Sequence, residues 1–149
     1  MEQTLIILKP DAIQRGIAGE IISRFEKKGL KIVAMKMAII SKEKAEYHYE
    51  EHKEKPFFKE LVNFITSSPV ILMVLEGEDA IKMARKLAGA TKAIDAEPGT
   101  IRGDFVIHTC PGQNVVHTSD SPESAKREIS NFFDKKEIIS YQREIEKWI

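Results

Sequence analysis

The chain has 149 residues, 42% of them hydrophobic and 31% charged, which suits one soluble domain with a real core and calls for no second one. Lys+Arg and Asp+Glu cancel at 23 each, so a global field for nucleic acid is excluded and any pull on phosphates must come from local clustering. The one cysteine, Cys110, excludes an intramolecular disulfide, no apolar run nears the ~20 residues of a membrane span, and no secretory start is evident, so a cytoplasmic location is expected.

Thr4-Leu5-Ile6-Ile7-Leu8 is continuously apolar, the pattern of a central strand, and it stops at Lys9-Pro10-Asp11. Lys9 therefore stands at a strand end, where it either snorkels to solvent or aims an ammonium into a site. Gly16 to Gly29 carries Ile17, Ile21, Ile22 and Phe25 at helical spacing, with Gly29 as the stop. Leu30 to Ile40 alternates and reads as a long second strand, with Lys31 and Lys36 on opposite faces.

Ser41 is placed to cap a polar helix bearing Tyr47, His48, Tyr49 and His52. His48 and His52, four apart, can bind a metal, but no carboxylate-histidine motif accompanies them. They are expected on a solvated face, and no protein-built metal site is expected. Pro56 restarts the chain, and Phe57, Phe58, Leu61, Val62, Phe64 and Ile65 make a short apolar helix. Its two leading aromatics either share the core or expose one ring as an interface or stacking platform.

Pro69 to Leu75 is a third apolar strand, and Glu78 to Leu87 a helix with Ile81, Ala84 and Leu87 inward and Arg85 off that stripe. Gly89 to Gln113 has few periodic signals apart from Phe105-Val106-Ile107. A loop this long in a compact domain is usually functional or an interface, and it holds Thr91, Lys92 and Arg102.

Asn114 to Thr118 reads as the last strand, and Ser119-Asp120-Ser121-Pro122 as a helix start. Ser121 caps, Pro122 suits the first helical position and Glu123 favours the positive end of the dipole. The helix should run to about Phe133. The tail from Glu137 should make a short helical turn and then wrap, ending near Trp148. His117 thus sits at a strand-to-helix junction, held rigidly beside free N–H donors. A neutral imidazole there is either a nucleophile or a loop-edge hydrogen-bonding group.

Strand, helix, strand, repeated, implies an α+β fold, a ferredoxin-like split βαβ. Its four-stranded antiparallel sheet would carry helices on one face, with additional helices in the crossover. That architecture alone names no function, since it hosts RNA binders, phosphatases and regulators. Lys9, Arg85 and Arg102, with the hydroxyls of Tyr49 and Thr91, would form a phosphate cradle if the fold gathers them near His117. The chain lacks GxxxxGKS/T and GxGxxG, so a nucleotide would be held without a glycine-rich loop. It also lacks a carboxylate cluster fit for magnesium, so any Mg²⁺ would arrive on the phosphates.

Several separate segments resemble the nucleoside diphosphate kinases over essentially the whole length. They are Ile7-Leu8-Lys9-Pro10-Asp11 continuing through Gln14-Arg15-Gly16 to Gly19-Glu20-Ile21-Ile22, His48-Tyr49, Pro56-Phe57-Phe58, Pro98 to Phe105, and Asn114 to Ser121. The resemblance implies that His117 receives the γ-phosphoryl group of a nucleoside triphosphate and passes it to a nucleoside diphosphate. It implies Lys9 and Tyr49 beside the transferring group and the sugar 3′-hydroxyl. Arg85, Thr91 and Arg102 would lie on the other phosphates, Asn114 on the sugar, and Phe57 with Leu61 on the base. Ser119 and Glu128 would support the histidine; Glu128 lies seven residues past Ser121, two helical turns on. Phosphoryl transfer needs positioning and charge stabilisation, which cations and hydroxyls around one nucleophile supply. A site that alternates between bare and phosphorylated histidine implies ping-pong kinetics, and recognition of the base by stacking implies broad base specificity.

Three departures stand out. Thr118 replaces a common glycine, so an ordinary backbone is expected there. Thr109-Cys110-Pro111-Gly112-Gln113 is about two residues longer than the corresponding loop as judged by the resemblance, and Lys92-Ala93 replaces the frequent Asn-Pro. Family members use the loop after Thr91 in subunit contacts, so the change at Lys92-Ala93 is expected to alter or weaken the assembly. The long C-terminus through Trp148 is similar to that of the hexameric members, so a homo-oligomer is expected, a hexamer ahead of a tetramer. Two other readings compete. A catalytically silent homologue would have to retain every expected residue, and an RNA-binding sheet lacks the RNP1 aromatic pattern and basic bias, so no specific nucleic acid is expected.

Overall fold

The computed structural model describes residues 1–108 and 110–149. Its sheet is built from β1 (Glu2–Leu8), β2 (Lys31–Ala38), β3 (Val70–Gly77) and β4 (Val116–Thr118) in the order β2-β3-β1-β4, all pairs antiparallel. Among the described residues seven α-helices surround it: α1 (Pro10–Gln14), α2 (Ala18–Lys27), α3 (Lys42–His48), α4 (Phe58–Ile65), α5 (Ala80–Ala88), α6 (Ile101–Phe105) and α7 (Pro122–Phe132). This is the expected ferredoxin-like α+β arrangement. Among the described residues no helix is long and apolar enough to cross a membrane.

The sheet is not open on one side. Ile6 and Leu8 pack with Ile21, Phe25 and Ala84 of α2 and α5, while Leu5 and Ile7 pack with Leu61, Ile65 and Phe132 of α4 and α7. Helices therefore cover both faces, not one. β1 is apolar at consecutive positions for that reason, since alternate side chains enter two separate cores. Each core holds more than a dozen buried residues, and at ~1.5–3 kcal/mol per large side chain their burial is the main stabilising force.

Two strand expectations need correction. In β2 the register against β3 shifts between Ile32 and Ala34, a bulge at Val33. One extra residue reverses the alternation, so Lys31 opposite Glu76 and Lys36 opposite Leu72 share a face instead of taking opposite ones. Likewise the last strand is shorter than Asn114–Thr118, because Val115 has φ +60° and lies outside β4. Thr118, by contrast, pairs with Ile6 as ordinary strand.

The helix ends obey their local chemistry. Ser41 Oγ accepts from Lys44 N at α3, Thr100 Oγ1 from Gly103 N at α6, and Ser121 Oγ from Ser124 N at α7, where Pro122 leads. α1 and α6 fall in segments without a helical apolar pattern; each is only five residues. The tail makes 3₁₀ turns at Lys135–Glu137 and Glu146–Trp148. Between them Ile139 N donates to Val33 O and Tyr141 Oη to Ile32 O, so the tail runs beside the bulged end of β2.

Candidate active site

The site is assembled where β1 ends beside β4. Lys9 N donates to Val115 O at 2.9 Å, Val116 N to Asn114 O at 2.7 Å, and Val115 N to Asp11 Oδ2 at 3.0 Å. The bond from residue 116 to residue 114 around a left-handed Val115 is a tight three-residue turn. A left-handed β-branched residue costs roughly 1–3 kcal/mol, and here the Asp11 carboxylate and full burial of the valine side chain hold it. The result is a rigid step from Asn114 to His117.

His117 pairs with Ile7 across the sheet, which puts its ring on the face covered by α3, α4 and α7. Its Nε2 lies 2.8 Å from Glu128 Oε1. The same oxygen accepts from Ser119 Oγ at 2.7 Å, and that hydroxyl accepts from Leu5 N at 3.1 Å. A carboxylate can only accept, so Nε2 carries the proton and the Nδ1 lone pair is the free one. Glu128 is buried on α7 and Ser119 is fully buried past the end of β4, so the ring is anchored by a chain of hydrogen bonds that starts in the backbone of β1.

Every site residue inferred from the sequence, except Ser119, lines one cavity of about 440 Å³. Ser119 reaches it through Glu128. Lys9, Arg102 and Asn114 are buried in its floor, Phe57 is half-buried, and Arg85 and Thr91 are exposed at the rim. Arg85, off the inward stripe of α5, therefore projects into the cavity mouth. Phe57 and Phe58 both pack on the core, and Phe57 alone of the two also faces the cavity.

Lys9, Arg85 and Arg102 make no salt bridge among the described residues. Among the described residues Lys9 Nζ donates to Gly112 O at 3.0 Å and Asn114 Oδ1 at 2.8 Å, both neutral acceptors. Burial, reinforced by nearby Arg102, lowers its pKa to about 7. Arg102 donates to the carbonyls of Gly89, Asn114 and Val116, which ties the end of α5 to the strained turn. Burial, with Arg85 nearby, lowers its pKa to about 10. Three of its five N–H groups are thus committed to structure, and the others can meet a ligand. Asn114 is likewise engaged at both ends, since its Nδ2 donates to Thr91 O at 3.0 Å.

His48 and Tyr49 overturn the expected solvated face. Ala45, His48 and Tyr49 are buried, with His52 half-buried on the same stripe. That spacing is the inward stripe of α3, masked in the sequence by polar side chains. The His48 ring stands edge-on to His117, 4.6 Å between centroids at 81°, and among the described residues its buried Nδ1 has no hydrogen-bond partner. Burial holds the His48 pKa well below its ordinary value, so it is neutral. Burial also raises the Tyr49 pKa, and its hydroxyl is unpartnered too, which leaves it available to a ligand in the cavity. Of the longer 109–113 loop, Thr109 lies outside the described residues, while Gly112 holds Lys9 and exposed Cys110 lies at the cavity.

A cavity whose cations make no salt bridge, set around an anchored imidazole, can draw in a polyphosphate and present its end to a nucleophile, the requirements of a histidine phosphotransferase. Comparison with known proteins agrees. The family profile described as nucleoside diphosphate kinase matches residues 2–138. A nucleoside diphosphate kinase of Archaeoglobus fulgidus is 58% identical over 149 residues, covering 100% of this chain and 97% of that one. The halophilic nucleoside diphosphate kinase of Halobacterium salinarum, solved in complex with CDP, superposes with a TM-score of 0.94 at 48% identity, covering 99% and 97%. The enzyme from Borrelia burgdorferi, a transition-state mimic with bound vanadate and ADP, gives 0.92 at 40% identity, covering 97% and 94%. This chain belongs to the nucleoside diphosphate kinase family, phosphotransferases that move the γ-phosphoryl group of a nucleoside triphosphate to a nucleoside diphosphate.

Proposed function

We propose that His117 carries the phosphoryl group in transit, on Nδ1. The observation that carries this reading is the 2.8 Å contact between Nε2 and Glu128, which commits one nitrogen and frees the other. In the first half-reaction Nδ1 attacks the γ-phosphorus, the bond to the β,γ-bridging oxygen breaks, and the diphosphate leaves with that electron pair. In the second, an oxygen of another nucleoside diphosphate attacks the phosphohistidine and restores the free lone pair. Glu128 stabilises the positive charge that the ring acquires during attack, and Ser119 keeps that carboxylate in place.

Lys9 and Tyr49 lie next to the transferring group, Arg85, Thr91 and Arg102 on the remaining phosphates, Asn114 on the sugar, and Phe57 with Leu61 on the base. Stacking on a phenyl ring is indifferent to base identity, which supports use of all common nucleotides. Mg²⁺ is part of the substrate in this reading. Among the described residues the one group of three side chains able to share an ion is rich in nitrogen, unlike the all-oxygen set that magnesium prefers.

A homo-oligomer, hexamer ahead of tetramer, fits the same surface. Met35, Met37 and Ile39 are exposed along the outer edge of the sheet, and Ile94 and Ile107 in the segment between α5 and β4. The lone cysteine suits a cytoplasmic setting. Initial rates with ATP and GDP varied together test the reading. Parallel double-reciprocal lines, and values of kcat/KM within about tenfold across the four bases, are expected. Intersecting lines, or a thousand-fold preference for one base, would overturn it.

A further inference from the structure

His48 is the one buried titratable group at the cavity that phosphoryl transfer does not use. One ligand atom each from His48, His117 and Glu128 lies within 4.8 Å of the others. Two imidazoles and a carboxylate are the donor set of a three-ligand zinc site with an open fourth position. His48 is 5% exposed and among the described residues its buried Nδ1 has no hydrogen-bond partner, so one member of the cluster carries an unsatisfied polar atom. An unsatisfied buried nitrogen is destabilising, and a ligand bound to it would relieve that cost. Tetrahedral zinc with bonds of ~2.0–2.1 Å brings its ligands closer than 4.8 Å, so the rings must close in slightly. His117 is only half-buried and faces the cavity, which gives it room to turn.

We propose that His48, His117 and Glu128 form an inhibitory site for a borderline-soft divalent cation, zinc above all, with its fourth position open to the nucleotide cavity. Magnesium does not compete, because it prefers oxygen ligands and sheds water reluctantly. Zinc on His117 Nδ1 takes the free lone pair. Zinc on Nε2 displaces the proton shared with Glu128 and leaves the ring N–H on Nδ1. In either case the histidine stops being a nucleophile, so bound zinc and the phosphohistidine exclude each other. The binding itself stands on the three side chains alone; the exclusion rests on the reading that His117 carries the phosphoryl group.

The test is calorimetric titration of ZnCl₂ into metal-free, nucleotide-free protein in a buffer without phosphate, with magnesium in excess. One ion per chain is expected, weakened at least about 10- to 100-fold in His48→Gln and in Glu128→Gln, and unchanged in Cys110→Ser. Cys110 and His108 also line the cavity and are the rival ligands. Binding lost in Cys110→Ser but kept in His48→Gln, or no stoichiometric binding, overturns the proposal. Should the buried substitutions unfold the chain, CoCl₂ added to unaltered protein gives the same answer. Intense visible d–d bands without a thiolate charge-transfer band support the site, and a thiolate band or only weak octahedral bands refute it. Protein exposed to ATP and then desalted should no longer bind zinc. If that phosphorylated form carries the group and still binds zinc undiminished, the mutual exclusion fails. If no phosphorylated form arises while zinc binds as stated, the catalytic reading fails and the metal site stands.

Discussion

The floor and the rim of the cavity are built on different principles. On the floor, Lys9, Arg102, Asn114 and Glu128 are buried, with Ser119 behind Glu128, and each is tied to backbone or to another side chain, with the tight turn at Val115 among them. At the rim, Arg85 and Thr91 are exposed and Phe57 is half-buried. In the proposed function, groups on the floor are already in place before a ligand arrives and would contribute chiefly to the transition state, while those at the rim would gain order from the ligand and contribute chiefly to affinity. The floor also costs stability, because Lys9 and Arg102 are buried there without a salt bridge among the described residues.

Substitutions should divide along this line. His117→Ala should lower transfer by at least about 10⁴-fold with little change in Tm, read by coupled assay and thermal melt. Loss of transfer from unfolding alone would remove the distinction between chemistry and scaffold. Lys9→Met should lower kcat by about 10²- to 10³-fold and leave Tm unchanged or raised, since a methionine fills the same space without a buried charge. A fall in Tm of several degrees would mean that the Lys9 bonds to Gly112 and Asn114 outweigh its desolvation.

The pH dependence sharpens the same contrast. Lys9 titrates near 7 in the folded chain and near 10.5 when unfolded, so between those values the unfolded state binds the extra proton and stability from this group rises with pH. Below that window the full cost of the buried ammonium is felt. The Tm of nucleotide-free protein should therefore climb from pH 7 to pH 9 more steeply than that of Lys9→Met. A bound phosphate recharges the amine, so calorimetry at pH 8 in buffers of different ionisation enthalpy should show uptake approaching one proton per nucleotide, absent in Lys9→Met. At the rim, Arg85→Ala should raise KM by about tenfold with kcat nearly kept, and Phe57→Ala by less. A rim substitution that lowers kcat more than Lys9→Met does would erase the division.

Much of this plan is legible in the sequence, and the failures share one cause. β1, α5 and α7 announce themselves through apolar runs, helical spacing and the Ser121-Pro122 start, all local signals. Val115 does not, because a β-branched apolar residue favours a strand, and its left-handed turn is held by Asp11, 104 positions earlier. The bulge at Val33 is a matter of pairing with β3, so the alternation that would place Lys31 and Lys36 on opposite faces is interrupted by the partner strand. His48 was hidden by its chemistry. Its spacing from Ala45 and Tyr49 already marks an inward stripe, but a histidine on such a stripe is read as polar until the ring it packs against is known. The family motifs led to His117, Lys9 and Arg102 without showing that Arg102 also bridges three carbonyls.

The most direct measurement is the position of the phosphoryl group. Protein mixed briefly with Mg-ATP, kept at alkaline pH and desalted, would be weighed by mass spectrometry and its phosphohistidine isomer assigned by ³¹P and ¹⁵N NMR, alongside His117→Ala. One phosphoryl group per chain on His117 Nδ1, absent from the variant and discharged by GDP to yield GTP, is the result the structure predicts. A phosphoryl group on Nε2 would contradict the role given to Glu128. Nucleotide binding without any phosphorylated chain would make this a silent member of its family.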